Sequence, residues 1–247
     1  MKKTHSFLLL FLTIFLFGSS PYLMHRRAAF RGGGYDEYTK LMLHCDGTDG
    51  SQVFIDSSAS AHAMTANGDA QVDTSQKKFG TGSFLSDGTG DYLETPYSTD
   101  FDFATGDFTL EVWLYWAGIN GKNQAIISAG AASGTGWELV VNHGASDRPA
   151  FKVGGSYIVD GTSTFATNTW IHFAAVRSSG TLTLYRDGTA FGSAALAGNV
   201  NADSGVLKIG YFNEFAQSYF GRADEIRISK GIARWTSNFT PPIAPYK

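Results

Sequence analysis

The sequence is short of cysteine, of clustered charge and of long apolar runs. Cys45 is its single cysteine, so no internal disulfide framework can staple it and a packed core must hold the fold. Lys and Arg number 19 against 22 Asp and Glu, scattered without a basic block. That excludes a groove tracking nucleic-acid phosphates. The longest apolar run, Phe7 to Phe17, is broken by Thr13 and falls well short of the roughly 20 residues that a spanning helix needs. No stretch keeps a 3.6-residue apolar period and no segment repeats, which excludes helical bundles and solenoids. G-x-S-x-G and H-E-x-x-H are absent, so neither a nucleophile elbow nor a zinc-protease helix is present. His44, His62 and His143 are scattered and form no ligand set. Cys45 reads as a small buried residue and His172 as a core histidine with a satisfied ring nitrogen.

What the chain does have is glycine and aromatics. Glycine is 29 of 247 residues and aromatics 14%, a composition suited to many short strands and tight turns. Phe108 to Trp116 alternates over its whole length. Phe108, Leu110, Val112, Leu114 and Trp116 share one face, and Thr109, Glu111, Trp113 and Tyr115 share the other, the signature of a strand lying on a core. Extended runs at 82–86 and 91–95 flank a turn made of Asp87, Gly88, Thr89 and Gly90, where the chain is expected to reverse. Leu41, Leu43 and Cys45 share a face of an opening strand. The run 123–128 predicts a strand with Ala125 and Ile127 opposite Gln124 and Ile126. Further strands are expected at 137–141, 149–153, 156–159, 170–177, 181–186, 206–210 and 223–229. Asp187-Gly188 supplies a type I′ hairpin turn. Residues 232–235 are expected to form one helical turn, and Pro241, Pro242 and Pro245 leave the tail extended. About a dozen short strands predict an all-β, two-sheet antiparallel sandwich.

The N-terminus reads as an export signal over 1–20: Lys2 and Lys3, then the apolar run, then Gly18, Ser19 and Ser20 near a cleavage point. Residues 21–40, with Arg26, Arg27, Arg31 and Gly32 to Gly34, read as a linker or arm, leaving 41–247 as the folded domain. The expected location is secreted or on an extracellular surface, with no membrane span after signal removal.

Five motifs in order resemble the laminin-G-like, concanavalin A-like jelly-roll family. They are the run from Gly82 to Leu93, containing F-L-S-D-G-T-G-D-Y-L; Phe108 to Trp113, F-T-L-E-V-W; Trp170 to Arg177, W-I-H-F-A-A-V-R; Leu184 to Gly188, L-Y-R-D-G; and Gly221 to Ser229, G-R-A-D-E-I-R-I-S. The resemblance implies a jelly-roll sandwich with adjacent first and last strands. It also implies a structural calcium near Asp46 and Asp224, since hard Ca²⁺ takes six to eight oxygens; ordinary turn and ion-pair roles remain the alternative. Asp87 and Asp91 are a second pair, equally explained as turn formers. Laminarinase-like relatives carry an E-x-D-x-x-E strand, which is absent here. Glu111 and Glu138 sit singly on their strands, and Asp224 and Glu225 are expected to face apart. No enzyme activity is therefore expected.

Lectin-like sandwiches recognise sugars with an aromatic platform and flanking amides and carboxylates. The richest candidate is the loop Tyr211, Phe212, Asn213, Glu214, Phe215, Gln217 and Tyr219; Trp116 with Asn120, Lys122 and Asn123 is another. The same aromatics could instead cap the sandwich edge. The expected function is a non-catalytic extracellular binding module for glycan, or adhesion to a cell-surface or virion protein. A structural or assembly subunit, homo-oligomeric through the N-terminal arm, and a degenerate glycoside hydrolase stay open as alternatives.

Overall fold

The computed structural model describes residues 36–131, 134–144, 147–213 and 215–247; the expected signal and residues 21–35 of the arm lie outside them. The strands in chain order are β1 (Thr39–Leu43), β2 (Thr65–Asn67), β3 (Gln71–Asp73), β4 (Ser83–Asp87), β5 (Tyr92–Thr95), β6 (Phe108–Trp116), β7 (Gln124–Ala129), β8 (Trp137–Asn142), β9 (Ala150–Val153), β10 (Ser156–Asp160), β11 (Trp170–Ser178), β12 (Thr181–Arg186), β13 (Thr189–Ala195), β14 (Leu207–Ile209), β15 (Tyr211–Phe212), β16 (Gln217–Ser218) and β17 (Phe220–Lys230). One 3₁₀ turn, Thr99–Phe101, is capped by Ser98.

Fifteen of these strands form two facing antiparallel sheets, and β15 and β16 pair as a separate ribbon. One runs β13-β12-β11-β6-β17-β4-β3, with β1 also paired to β17; the other runs β10-β9-β8-β7-β14-β5-β2. The expected sandwich and the pairing of first and last strands are both present. The inward face of β6 is the one its alternation predicts, with Phe108, Leu110, Val112, Leu114 and Trp116 all in the main core. Between the sheets Phe103 stacks on Phe108 at 4.4 Å and meets Trp137 at 5.2 Å. Each such buried ring contributes roughly 2–3 kcal/mol. Arg177, the last residue of its motif, is fully buried beside this seam. It donates to the carbonyls of Gly106 (2.7 Å), Ala104 (2.7 Å) and Gly198 (3.0 Å), which fixes the turn entering β6.

The Asp87–Gly90 segment carries the chain across the core, since β4 lies in the eight-stranded sheet and β5 in the seven-stranded one. Three expectations need correcting. In β7 the pairing with β8 shifts at Ala125 and again before Ile127. Those bulges bring Ile126 and Ile127 both into the core and leave Ala125 in a separate cluster. Residues 232–235 make no helical turn. Finally, β17 bulges between Asp224 and Arg227, with Glu225 at φ 50°. The extra residue cancels the alternation, so Asp224 and Glu225 both contact segments covering the outer face: Asp224 the amides of Lys78 and Phe79, Glu225 that of Tyr246. The Asp187-Gly188 hairpin is as expected, with φ of 48° and 75°.

The C-terminal segment crosses the outer face of the eight-stranded sheet. Trp235 and Phe239 stack at 3.8 Å and pack against His172, and the Tyr246 hydroxyl lies 2.9 Å from His172 Nε2. His172 is a fully buried histidine, as expected.

Candidate functional site

On the outer face of the seven-stranded sheet, Ala125 of β7, Val140 of β8 and Ala150 of β9 leave a shallow apolar floor. Phe212 drops onto it and becomes fully buried. This plants the β15–β16 ribbon on the sheet, and polar contacts then fix it. Ser128 Oγ donates to the Tyr211 carbonyl at 2.7 Å, the Asn213 amide to Glu138 Oε1 at 3.0 Å, and the Asn123 amide to Gln217 Oε1 at 2.7 Å.

The aromatic loop is therefore divided. Tyr219 and Trp116 belong to the core, with Trp116 Nε1 donating to Gln124 Oε1 at 3.0 Å. They, with Phe212, are corrected from ligand platform to packing. Tyr211, Asn213 and Gln217 are half-buried, and Phe215 is 46% exposed while leaning on Phe212 at 5.1 Å. Glu214 lies outside the described residues.

The structure adds two residues that the sequence reading missed. Tyr92 of β5 meets Tyr211 with ring centroids 4.6 Å apart, and Lys208 Nζ sits 4.3 Å from the Tyr211 ring and 5.1 Å from that of Tyr92. Lys208 faces Glu94 across the β14–β5 pairing. Burial lowers the Lys208 ammonium, partly offset by the Glu94 charge, and burial raises the Tyr92 phenol. The available signal was Tyr92 on the outward alternate of D-Y-L, but its partners come from β14 and β15, more than a hundred residues on. Beside Lys208 opens a cleft of about 370 Å³ walled by Gly130, Ser204, Gly205, Lys208, Tyr211 and Asn213. Its far wall depends on close backbone approach: a Cβ on Gly205 would stand 1.8 Å from the Gly130 carbonyl carbon.

Glu138 anchors the ribbon from below. Burial pushes its carboxyl up to about 7, against the opposing charge of Lys152 and the Asn213 amide. Lys152 Nζ lies 3.7 Å from Glu138 Oε2. Chemically the surface offers a tilted tyrosine pair, an ammonium and amide groups around an open cleft.

The sequence profile of the laminin-G-type family of the concanavalin A-like lectin/glucanases superfamily matches residues 87–234. The chain belongs to this superfamily. No curated protein sequence matches significantly. Among solved structures this superfamily member is similar to the binding domain of Paraclostridial Mosquitocidal Protein 1, at 16% identity and TM-score 0.59 over 79% of this chain and 49% of that one. It is similar to domain 4 of AbnA, a GH43 extracellular arabinanase from Geobacillus stearothermophilus, in complex with arabinotriose, at 15% identity and TM-score 0.59 over 79% and 93%. It is also similar to the binding domain of Botulinum Neurotoxin DC in complex with SialylT, at 12% identity and TM-score 0.55 over 79% and 48%. The chain thus spans about half the length of the toxin domains. At these identities the likeness is one of fold.

The calcium expected from the family resemblance does not fit the residues as placed. Both oxygens of Asp224 accept backbone amides, from Lys78 and Phe79 at 2.9 Å each and from Glu225 at 2.8 Å. Asp46 takes the Thr81 amide, with its hydroxyl at 2.9 Å. The two carboxylates therefore clamp one loop, 78–81, from two sides. Asp91 likewise accepts the amides of Asp69 and Asp87, and Asp87 that of Thr89. Among the described residues, no group of three or more His, Cys, Asp or Glu is placed to hold an ion, against the six to eight oxygens of a calcium shell. Thermal unfolding in EDTA and in excess Ca²⁺ should give the same midpoint. A midpoint several degrees higher with Ca²⁺ would reinstate Asp46 and Asp224 as ligands.

Proposed function

We propose that the chain is a non-catalytic module that acts outside the cell and binds glycan through the Tyr92–Tyr211 surface. The observation that carries this reading is the tyrosine pair flanked by Lys208, Asn213 and Glu94 at the mouth of an open cleft. Aromatic faces take the C–H side of a sugar while polar groups fix its hydroxyls. The sugars named with two of the structural neighbours support the class of ligand. The absence of catalysis is supported by the strand carboxylates: Glu111 is sealed under the tail and held by Arg227, and Glu138 faces Lys152, whereas a retaining hydrolase needs two carboxyls about 5–5.5 Å apart across its substrate.

A glycan array probed with wild type, Tyr92→Ala, Tyr211→Ala and Phe215→Ala tests this. Each tyrosine variant should weaken the leading signals by about tenfold or more, equivalent to ~1.4 kcal/mol, and Phe215→Ala by less. Silence of the wild type on every sugar, or signals indifferent to both tyrosine changes, would remove the reading.

A further inference from the structure

We propose that a second site, for a neutral sugar residue, lies on the opposite sheet in the groove between β11, β12 and the C-terminal segment. It is a cleft of about 210 Å³ walled by Ser178, Thr181, Thr183, Tyr185, Trp235 and Thr236, with Val176 at its base. The strand period builds its floor. Leu182 and Leu184 turn into the core and are fully buried, so Thr181, Thr183 and Tyr185 line up on the outer face. Ser178 stands opposite Thr181 in the β11–β12 register, and Thr183 Oγ1 is 3.1 Å from Ser193 Oγ. Burial raises the Tyr185 phenol, partly offset by a hydrogen bond with Thr183, so Tyr185 keeps its proton at neutral pH.

Trp235 forms the wall, and its ring is fixed in advance. Phe239 lies parallel to it at 3.8 Å and 4°, Phe239 packs on Tyr185 at 5.4 Å, and the Phe239 amide donates to the Gly188 carbonyl at 2.9 Å. A partly buried indole held this way, packed on Val176 and Tyr185, loses little freedom when a ligand stacks beside it.

The lining selects the class of ligand. It combines one indole and the buried Val176 with five hydroxyls, that of the buried Tyr185 among them, and contains no Asp, Glu, Lys, Arg or His. A charged ligand would find no counter-charge there, and a purely apolar one would strand the hydroxyl row. A neutral pyranose or furanose meets both parts, its C–H face against the indole and its hydroxyls against groups that can donate and accept. The groove and the Tyr92–Tyr211 surface lie on the outer faces of different sheets with the core between them, so the two sites are independent. This inference does not rest on the first site.

The full chain carries five tryptophans, so labelling with 5-fluorotryptophan gives five ¹⁹F resonances, and Trp235→Phe assigns the one that matters. The probes are neutral gluco-, manno-, galacto-, xylo- and arabino-oligosaccharides at millimolar concentration, with uronate oligosaccharides as the charged comparison. At least one neutral series should move the Trp235 line saturably while uronates leave it still. Thr183→Val, which keeps the β-branched shape and removes the hydroxyl, should weaken that saturation by about tenfold, and Tyr211→Ala should leave it unchanged. A Trp235 line that no neutral probe moves would overturn the proposal. So would one that follows Tyr211→Ala or ignores Thr183→Val.

Discussion

Glu111→Ala is expected to lower the free energy of unfolding by about 3–5 kcal/mol, the usual consequence of removing one partner from a buried charge pair. Glu111 is fully buried on the outer alternate of β6. Its Oε1 accepts from Arg227 Nη2 at 2.6 Å and Nε at 2.7 Å, its Oε2 lies 3.4 Å from His172 Nε2, and Arg234 Nε stands 3.8 Å away. Burial alone would raise this carboxyl, but the His172 hydrogen bond and the Arg227 charge outweigh it and hold it below the usual carboxylate range. The carboxylate thus stays ionised, and deleting it leaves Arg227 without its counter-charge beneath the tail, while Arg234 keeps its ion pair with Asp36 at 2.9 Å. Tyr246→Phe, which removes only the hydroxyl touching His172, should cost about 1 kcal/mol. Guanidinium unfolding of the three proteins measures this. A loss below about 1 kcal/mol for Glu111→Ala would show that the tail is held by its aromatic stacking alone.

Stability should fall as pH rises from about 5 to 8. Two buried carboxyls set the sign. Burial lifts Asp224 from 3.8 to about 7, reinforced by Glu225 and opposed by the amides of Phe79, Lys78 and Glu225; burial lifts Glu138 from 4.5 to about 7. Between the unfolded and folded pKa values the folded state binds more protons, so stability declines with pH across that window. The fall from each is at most roughly 3–4.5 kcal/mol. His44, raised by its hydrogen bond to Glu225, adds in the same direction, since its stabilisation is complete below 6.5 and is lost above its folded pKa. Asp36, Asp73 and Glu111 are lowered; their stabilisation is present above the unfolded carboxylate range and is lost only as pH falls below about 4. The thermal midpoint should therefore peak near pH 5. Asp224→Asn and Glu138→Gln should each flatten the descending limb. A midpoint that climbs steadily from pH 5 to 8 would contradict the assignment.

The candidate surface was only partly legible in the chain. The run from Tyr211 to Tyr219 stands out by its aromatics, yet composition does not say which rings point inward. The burial of Phe212 is set by Ala125, Val140 and Ala150, three small residues on three different strands. Tyr92 and Lys208 joined Tyr211 because β14 lies between β5 and β7, an order that no local pattern carries. The second groove was hidden for a related reason: the hydroxyl row of β12 is readable as alternation, but Trp235 reaches it only when the tail folds back.

By itself, the sequence determined most of the strands, the Asp187-Gly188 turn and the inner faces of β1 and β6. These follow from side-chain period and from the φ angles that Asp and Gly permit, both local properties of the chain. Tertiary structure alone decided that β4 and β5 part into different sheets, that the β17 bulge brings Asp224 and Glu225 to one face, and that the C-terminal segment seals Glu111. Each of those outcomes depends on contacts between residues distant in sequence. Their strength comes from excluding water around groups that are ordinary until the chain has closed over them.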